Sequence, residues 1–141
     1  MMKYKEGIKK ISQIAFVIMM VLMLVSCKNT KQKLQEYVVA YNKNIAPSFR
    51  ADNVTLTTAR GYINDDKIEL RFETNLEQNE AHKSAAVISF TKLIKLMIDK
   101  DQIPRQLIEE GVQFDVYFLA NDNTVLDKEV LTGEYLKDFL K

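Results

Sequence analysis

The chain has 141 residues, 47% hydrophobic and 28% charged, and its 20 basic and 19 acidic side chains leave a formal charge of +1. So even a balance excludes the strongly basic surface of a nucleic-acid-binding domain. A lone cysteine excludes an intrachain disulfide, and only 4 Gly and 2 Pro argue against a long disordered arm, so packing must hold the fold.

The chain opens with Lys3, Lys5, Lys9 and Lys10 against the single Glu6, followed by twelve apolar residues from Ile14 to Val25. A basic start, an apolar middle and small residues at a cut make a secretory signal. Spanning a bilayer takes about 20 apolar residues, and this run meets Gln13, Ser12 and the lysines upstream, so a signal segment is favoured over a permanent membrane helix. Leu24-Val25-Ser26-Cys27 then resembles the lipobox of bacterial lipoproteins, with a small residue before an obligatory cysteine. The resemblance implies cleavage between Ser26 and Cys27 and lipidation of Cys27, leaving residues 1–26 as a type II signal peptide. It also implies a domain tethered to a bacterial membrane outside the cytoplasm, in the periplasm or at the cell surface. In enteric members an aspartate after the cysteine favours the inner membrane; Lys28 departs from that pattern. Two or more acyl chains hold firmly, each buried methylene contributing about 0.8 kcal/mol.

Without the leader, 16 basic and 18 acidic residues remain, a formal charge near −2. Residues 27–32 read as the lipidated cysteine with a short polar tether, and 33–141 as a single α+β domain. Leu34, Tyr37, Val38, Tyr41 and Ile45 form one helical stripe, which Pro47 should end. Val54 to Ile63 reads as a strand, with Val54, Leu56 and Thr58 sharing a face. Asn64-Asp65-Asp66 is a turn, and Lys67 to Thr74 returns with Ile68, Leu70 and Phe72 on one face. Lys67, Glu69, Arg71 and Glu73 take the other. After the polar link Asn75 to Asn79, Glu80 to Lys100 is helical, with Val87, Phe90, Ile94 and Met97 as its central stripe. Ile88, Leu93, Leu96 and Ile98 widen that stripe, which predicts the most buried helix of the domain. Ile103-Pro104 opens a short helix to Glu110, closed by Gly111. Val112, Phe114, Val116 and Phe118 alternate as a strand, Asn121-Asp122-Asn123 turns, and Thr124 to Leu131 pairs back. Thr132 caps a last helix from Gly133 to Leu140.

The resulting order is α-β-β-α-β-β-α, and its simplest burial is a four-stranded antiparallel sheet with helices on one face. An offset of 58 residues superposes Val54 on Val112, Leu56 on Phe114 and Asn64-Asp65 on Asp122-Asn123, suggesting an αββ repeat, by duplication or by recurrence of one grammar.

Chemistry is sparse. His82 is the only histidine and has no second nitrogen or sulfur ligand near it in sequence, so neither a metal nor a cofactor is expected. No Gly-rich phosphate loop or Gly-x-Ser-x-Gly elbow is present. The acidic turns at 65–66 and 121–123 lack the spaced ligands of a calcium loop. The expectation is therefore a non-enzymatic envelope lipoprotein that binds a protein or an envelope component, using the charged face Lys67, Glu69, Arg71 and Glu73. The alternative is a small-ligand carrier with a pocket near Tyr37, Tyr41, Tyr62 and Tyr117.

Overall fold

A computed structural model describes residues 29–139. The expected leader, the expected cleavage site at Ser26–Cys27 and Cys27 itself, read as lipidated, lie outside the described residues. The elements run α1 (Thr30–Ala40), β1 (Val54–Tyr62), β2 (Lys67–Thr74), α2 (Glu80–Asp99), α3 (Arg105–Glu109), β3 (Gln113–Leu119), β4 (Val125–Leu131) and α4 (Gly133–Phe139). The α+β class and the expected order hold, with α3 as the short Pro104 helix.

Local chemistry sets the boundaries. The Asn29 side chain accepts the amide of Gln32 at 2.9 Å, which starts α1 at Thr30, inside the segment read as tether. Past Ala40 the chain widens into a π turn (Tyr41–Ile45) and a 3₁₀ turn (Ala46–Ser48) containing Pro47. Asn79 caps α2 by accepting the His82 amide at 2.7 Å. Thr132 caps α4 through its side-chain oxygen, which accepts the Tyr135 amide at 3.3 Å. Left-handed Asp66 (φ 47°) and Asn123 (φ 67°) close the two hairpins, a conformation that short polar side chains tolerate.

The sheet order is β1-β2-β3-β4, and its central pair departs from the expected antiparallel arrangement: β2 and β3 run parallel, from Lys67 opposite Gln113 to Glu73 opposite Leu119. The cause is α2. At 1.5 Å per residue its 20 residues span about 30 Å, enough to carry the chain back along the length of β2 before β3 begins. A helical crossover of this kind makes a parallel pair.

The facing of β1 also differs from the sequence pattern. Thr57 and Ala59 are buried, whereas Leu56 is 51% exposed. Small side chains suit the core side here because α1 lies directly on it. A Cβ on Gly61 would stand 2.9 Å from Leu34 Cδ2 and 3.3 Å from Val38 Cγ2. A register shift between Val54 and Leu56 accompanies this arrangement. At the 58-residue offset the strand ends nearly coincide, but the facing inverts. Buried Ala59 falls on half-buried Tyr117, and exposed Leu56 on buried Phe114. The αββ similarity is therefore one of element order, without a common core face.

The core fills the helix side of the sheet. Phe49, Phe72, Phe90 and Phe118 form a continuous aromatic column with ring centroids 4.8–5.7 Å apart. Tyr37 meets Phe114 edge-on at 5.5 Å. α2 buries a narrower stripe than expected, Ala86, Phe90, Ile94, Met97 and Ile98. Val87, Ile88 and Leu96 are 50%, 64% and 48% exposed, since α2 touches the sheet along one line and no further layer covers it among the described residues.

Candidate functional site

α1, α2 and α4 all contact residues on the Phe72, Phe114 and Val116 side of the sheet. The opposite face is left without a covering layer among the described residues. The strand registers arrange it in cross-strand rows: Arg60, Glu69, Asp115 and Val130 in one, and Thr58, Arg71, Tyr117 and Lys128 in the next. Tyr62, Lys67 and Gln113 form a third row, and Leu56, Glu73, Leu119 and Val125 a fourth.

Charges on this face interlock. Arg71 reaches Glu69 at 3.6 Å and Lys67 reaches Asp115 at 3.6 Å, while Gln113 donates to the other Asp115 oxygen at 2.7 Å. Asp115 is only 4% exposed, although it lies on the uncovered face, because these longer neighbours close over it. Tyr62 donates to Glu69 at 3.4 Å, and the Lys67 ammonium sits 4.9 Å from the Tyr62 ring centre. The Lys128 ammonium sits 5.0 Å from that of Tyr117, whose hydroxyl is the main cause holding the lysine's pKa above its ordinary value. Lys67, Glu69, Arg71 and Glu73 are thus together on one face, as expected from their alternation. Gln113 and Asp115 join them, as expected from their alternation in β3; what the sequence missed is that Arg60, Tyr62, Tyr117 and Lys128 do so too, and strand pairing is the signal that brings them in.

The four tyrosines are not brought into one pocket. Tyr37 and Tyr41 lie on the helix side, their rings 5.9 Å apart, and Tyr62 and Tyr117 lie on the other face. Tyr41 is fully buried and shares a 2.6 Å hydrogen bond with Thr57. Burial pushes its pKa up to about 12, against the lowering effect of Thr57. Tyr37 donates to the Gln102 carbonyl at 2.7 Å, and its pKa is raised by burial first and then by Tyr41 and Asp101. Both side chains pack the core and tie it together.

Three further features were not legible beforehand. Asn42, in the π turn, meets the free edge of β1 with both amide atoms. It donates to the Ala59 carbonyl at 2.9 Å and accepts the Ala59 amide at 2.8 Å, mimicking a neighbouring strand. Beside it, α1 and the end of β1 border an open, mostly apolar groove of about 650 Å³, lined by Leu34, Val38, Val39, Gly61 and Ile63, with Lys43 at its rim. On β4, Glu129 accepts from Tyr135 at 3.2 Å. Its pKa is raised by burial first and then by the nearby Asp127 carboxylate. Elsewhere, His82 Nδ1 is 2.6 Å from the Glu77 carbonyl oxygen. Among the described residues no group of three or more His, Cys, Asp or Glu is placed to hold a metal ion, and no helix is long and apolar enough to cross a membrane.

No protein-family model matches the chain. No curated protein matches it either. Among solved structures, it is similar to the type II secretion system pilotin AspS from Vibrio cholerae, at 14% identity and a TM-score of 0.46, over 73% of this chain and 94% of that one. A likeness so distant transfers no role.

Proposed function

We propose that the chain is a lipid-anchored protein of the bacterial envelope whose uncovered sheet face docks another protein. The lipobox-like Leu24-Val25-Ser26-Cys27 supports the anchor. One observation carries the docking role: a four-stranded sheet has its helices on one side and presents a patterned face of Arg60, Lys67, Arg71 and Lys128 against Glu69, Glu73 and Asp115 on the other. Alternating charges of this kind select a partner by sign and register more than by area. Leu56 and Val125, at 51% and 44% exposed, give the same face an apolar end.

The test is site-directed photocrosslinking in intact cells, with the photoreactive residue at Thr58 on the uncovered face or at Ile88 on the outside of α2. A discrete protein adduct is expected from position 58 and not from 88. The swap Glu69→Arg with Arg71→Glu keeps the 3.6 Å ion pair but inverts its polarity. It should remove the adduct while leaving the thermal midpoint unchanged. Adducts from both positions alike, or an adduct indifferent to the swap, would remove the sheet face as the docking surface.

A further inference from the structure

Building on the reading of Cys27 as lipidated, we infer that the outer strip of α1, with the apolar groove beside it, is the surface that rests on the bilayer, so that the uncovered sheet face points away from lipid. The reach of the chain is the first argument. Only Lys28 and Asn29 separate Cys27 from Thr30, where α1 begins. At no more than about 3.6 Å per residue, α1 begins within roughly 11 Å of the lipidated backbone. That distance is of the order of one headgroup layer, about 5–7 Å thick on each side of the hydrocarbon core. No other element is held so close by covalent connection.

The character of the strip is the second argument. Leu34 and Tyr37 turn one side of α1 into the core, and Tyr41 continues it in the π turn. Helical spacing puts Gln32, Gln35, Glu36 and Val39 on the side away from it, and Lys43 follows in the π turn, all exposed, with Val39 at 64%. Lys31 and Lys43 stand near the two ends of the strip, against one acidic side chain on the groove, Glu36, and offer two cations to a surface that is anionic in bacterial envelopes. Basic residues near an anionic leaflet are drawn to it within about a Debye length. Between those lysines the groove walled by Val38, Val39 and Ile63 offers apolar surface at interfacial depth. The strip is too weakly apolar to insert unaided; the anchor delivers it, and the lysines and Val39 set which way the domain lies.

The experiment uses the full lipidated protein purified from membranes, its modification at Cys27 established by intact mass. With the native thiol acylated, Val39→Cys or Thr58→Cys provides the one site for an environment-sensitive fluorophore. Each labelled protein is placed in vesicles containing phosphatidylglycerol and lipids brominated on their acyl chains. The probe at position 39 should shift to the blue and lose at least half its emission to bromine, while the probe at 58 loses none. Lys31→Glu with Lys43→Glu should cut the quenching at 39 by twofold or more. Quenching at 58 with none at 39, or equal quenching at both, overturns the orientation while leaving the anchor in place. A disulfide-linked dimer through introduced thiols at position 39 assigns the groove to a second copy and also overturns it. An unmodified Cys27 in the mass spectrum removes the anchor and the orientation together.

Discussion

Gly61→Val tests the packing that positions α1. The added Cβ would lie 2.9 Å from Leu34 Cδ2 and 3.3 Å from Val38 Cγ2, so Leu34, which is 0% exposed, must shift, even though Gly61 also borders the open groove. Overfilling a packed site costs about 1–3 kcal/mol. Relief of the glycine's conformational freedom returns about 0.5–1 kcal/mol in a strand. The expected net loss is therefore about 1–2 kcal/mol, or about 4–8 °C in thermal midpoint for a domain of this size. Leu34→Ala alone, by emptying a fully buried site, should cost about 3 kcal/mol. Combined, the two changes compensate, because the valine methyls occupy the space that Leu34 vacates. Urea unfolding of all four proteins then yields a coupling energy of at least about 1 kcal/mol in the favourable direction. Simple additivity, or a neutral Gly61→Val, would show that α1 does not press on β1 as described.

Asn42→Ala should cost about 1–2 kcal/mol through its two hydrogen bonds to Ala59 and speed hydrogen exchange of the Ala59 amide. It should also raise self-association by baring the β1 edge, read by sedimentation. Asp115→Ala leaves Lys67 and Gln113 without their acceptor and should cost about 1–2 kcal/mol in urea unfolding. Burial, and then Asp127, raise the Glu129 pKa from its ordinary value, so the folded state keeps its proton to higher pH than the unfolded state does. Its stabilising contribution is complete below about pH 4 and is lost as pH rises through the folded value. Glu129→Gln should therefore raise the thermal midpoint at pH 7–8 and leave it nearly unchanged at pH 4, as differential scanning calorimetry over that range would show.

Local signals placed the elements well: the polar link ending at Asn79 sets off α2, and Pro104 before the short helix and Thr132 before the last one mark a helix start by a fixed φ and a cap. What eluded the sequence depends on pairing across the chain. The parallel β2–β3 register follows from the length of α2, and strand alternation alone is indifferent to direction. On β1 the largest apolar residue, Leu56, pointed to the wrong core face; helix contact required Thr57, Ala59 and Gly61 inward, and smallness rather than hydrophobicity was the pertinent signal. The charged face was half legible, because Lys67, Glu69, Arg71 and Glu73 alternate within one strand and Gln113 and Asp115 within another, whereas Arg60, Tyr117 and Lys128 join them only through the register. The same rule separates the tyrosines: Tyr37 and Tyr41 follow a helical stripe into the core, Tyr62 and Tyr117 follow strand parity onto the other side, and shared residue type carries no information about shared space. A recognition surface on this fold is thus a property of the register, and substitutions that slip one strand by a residue should erase it while leaving every individual charge in the sequence.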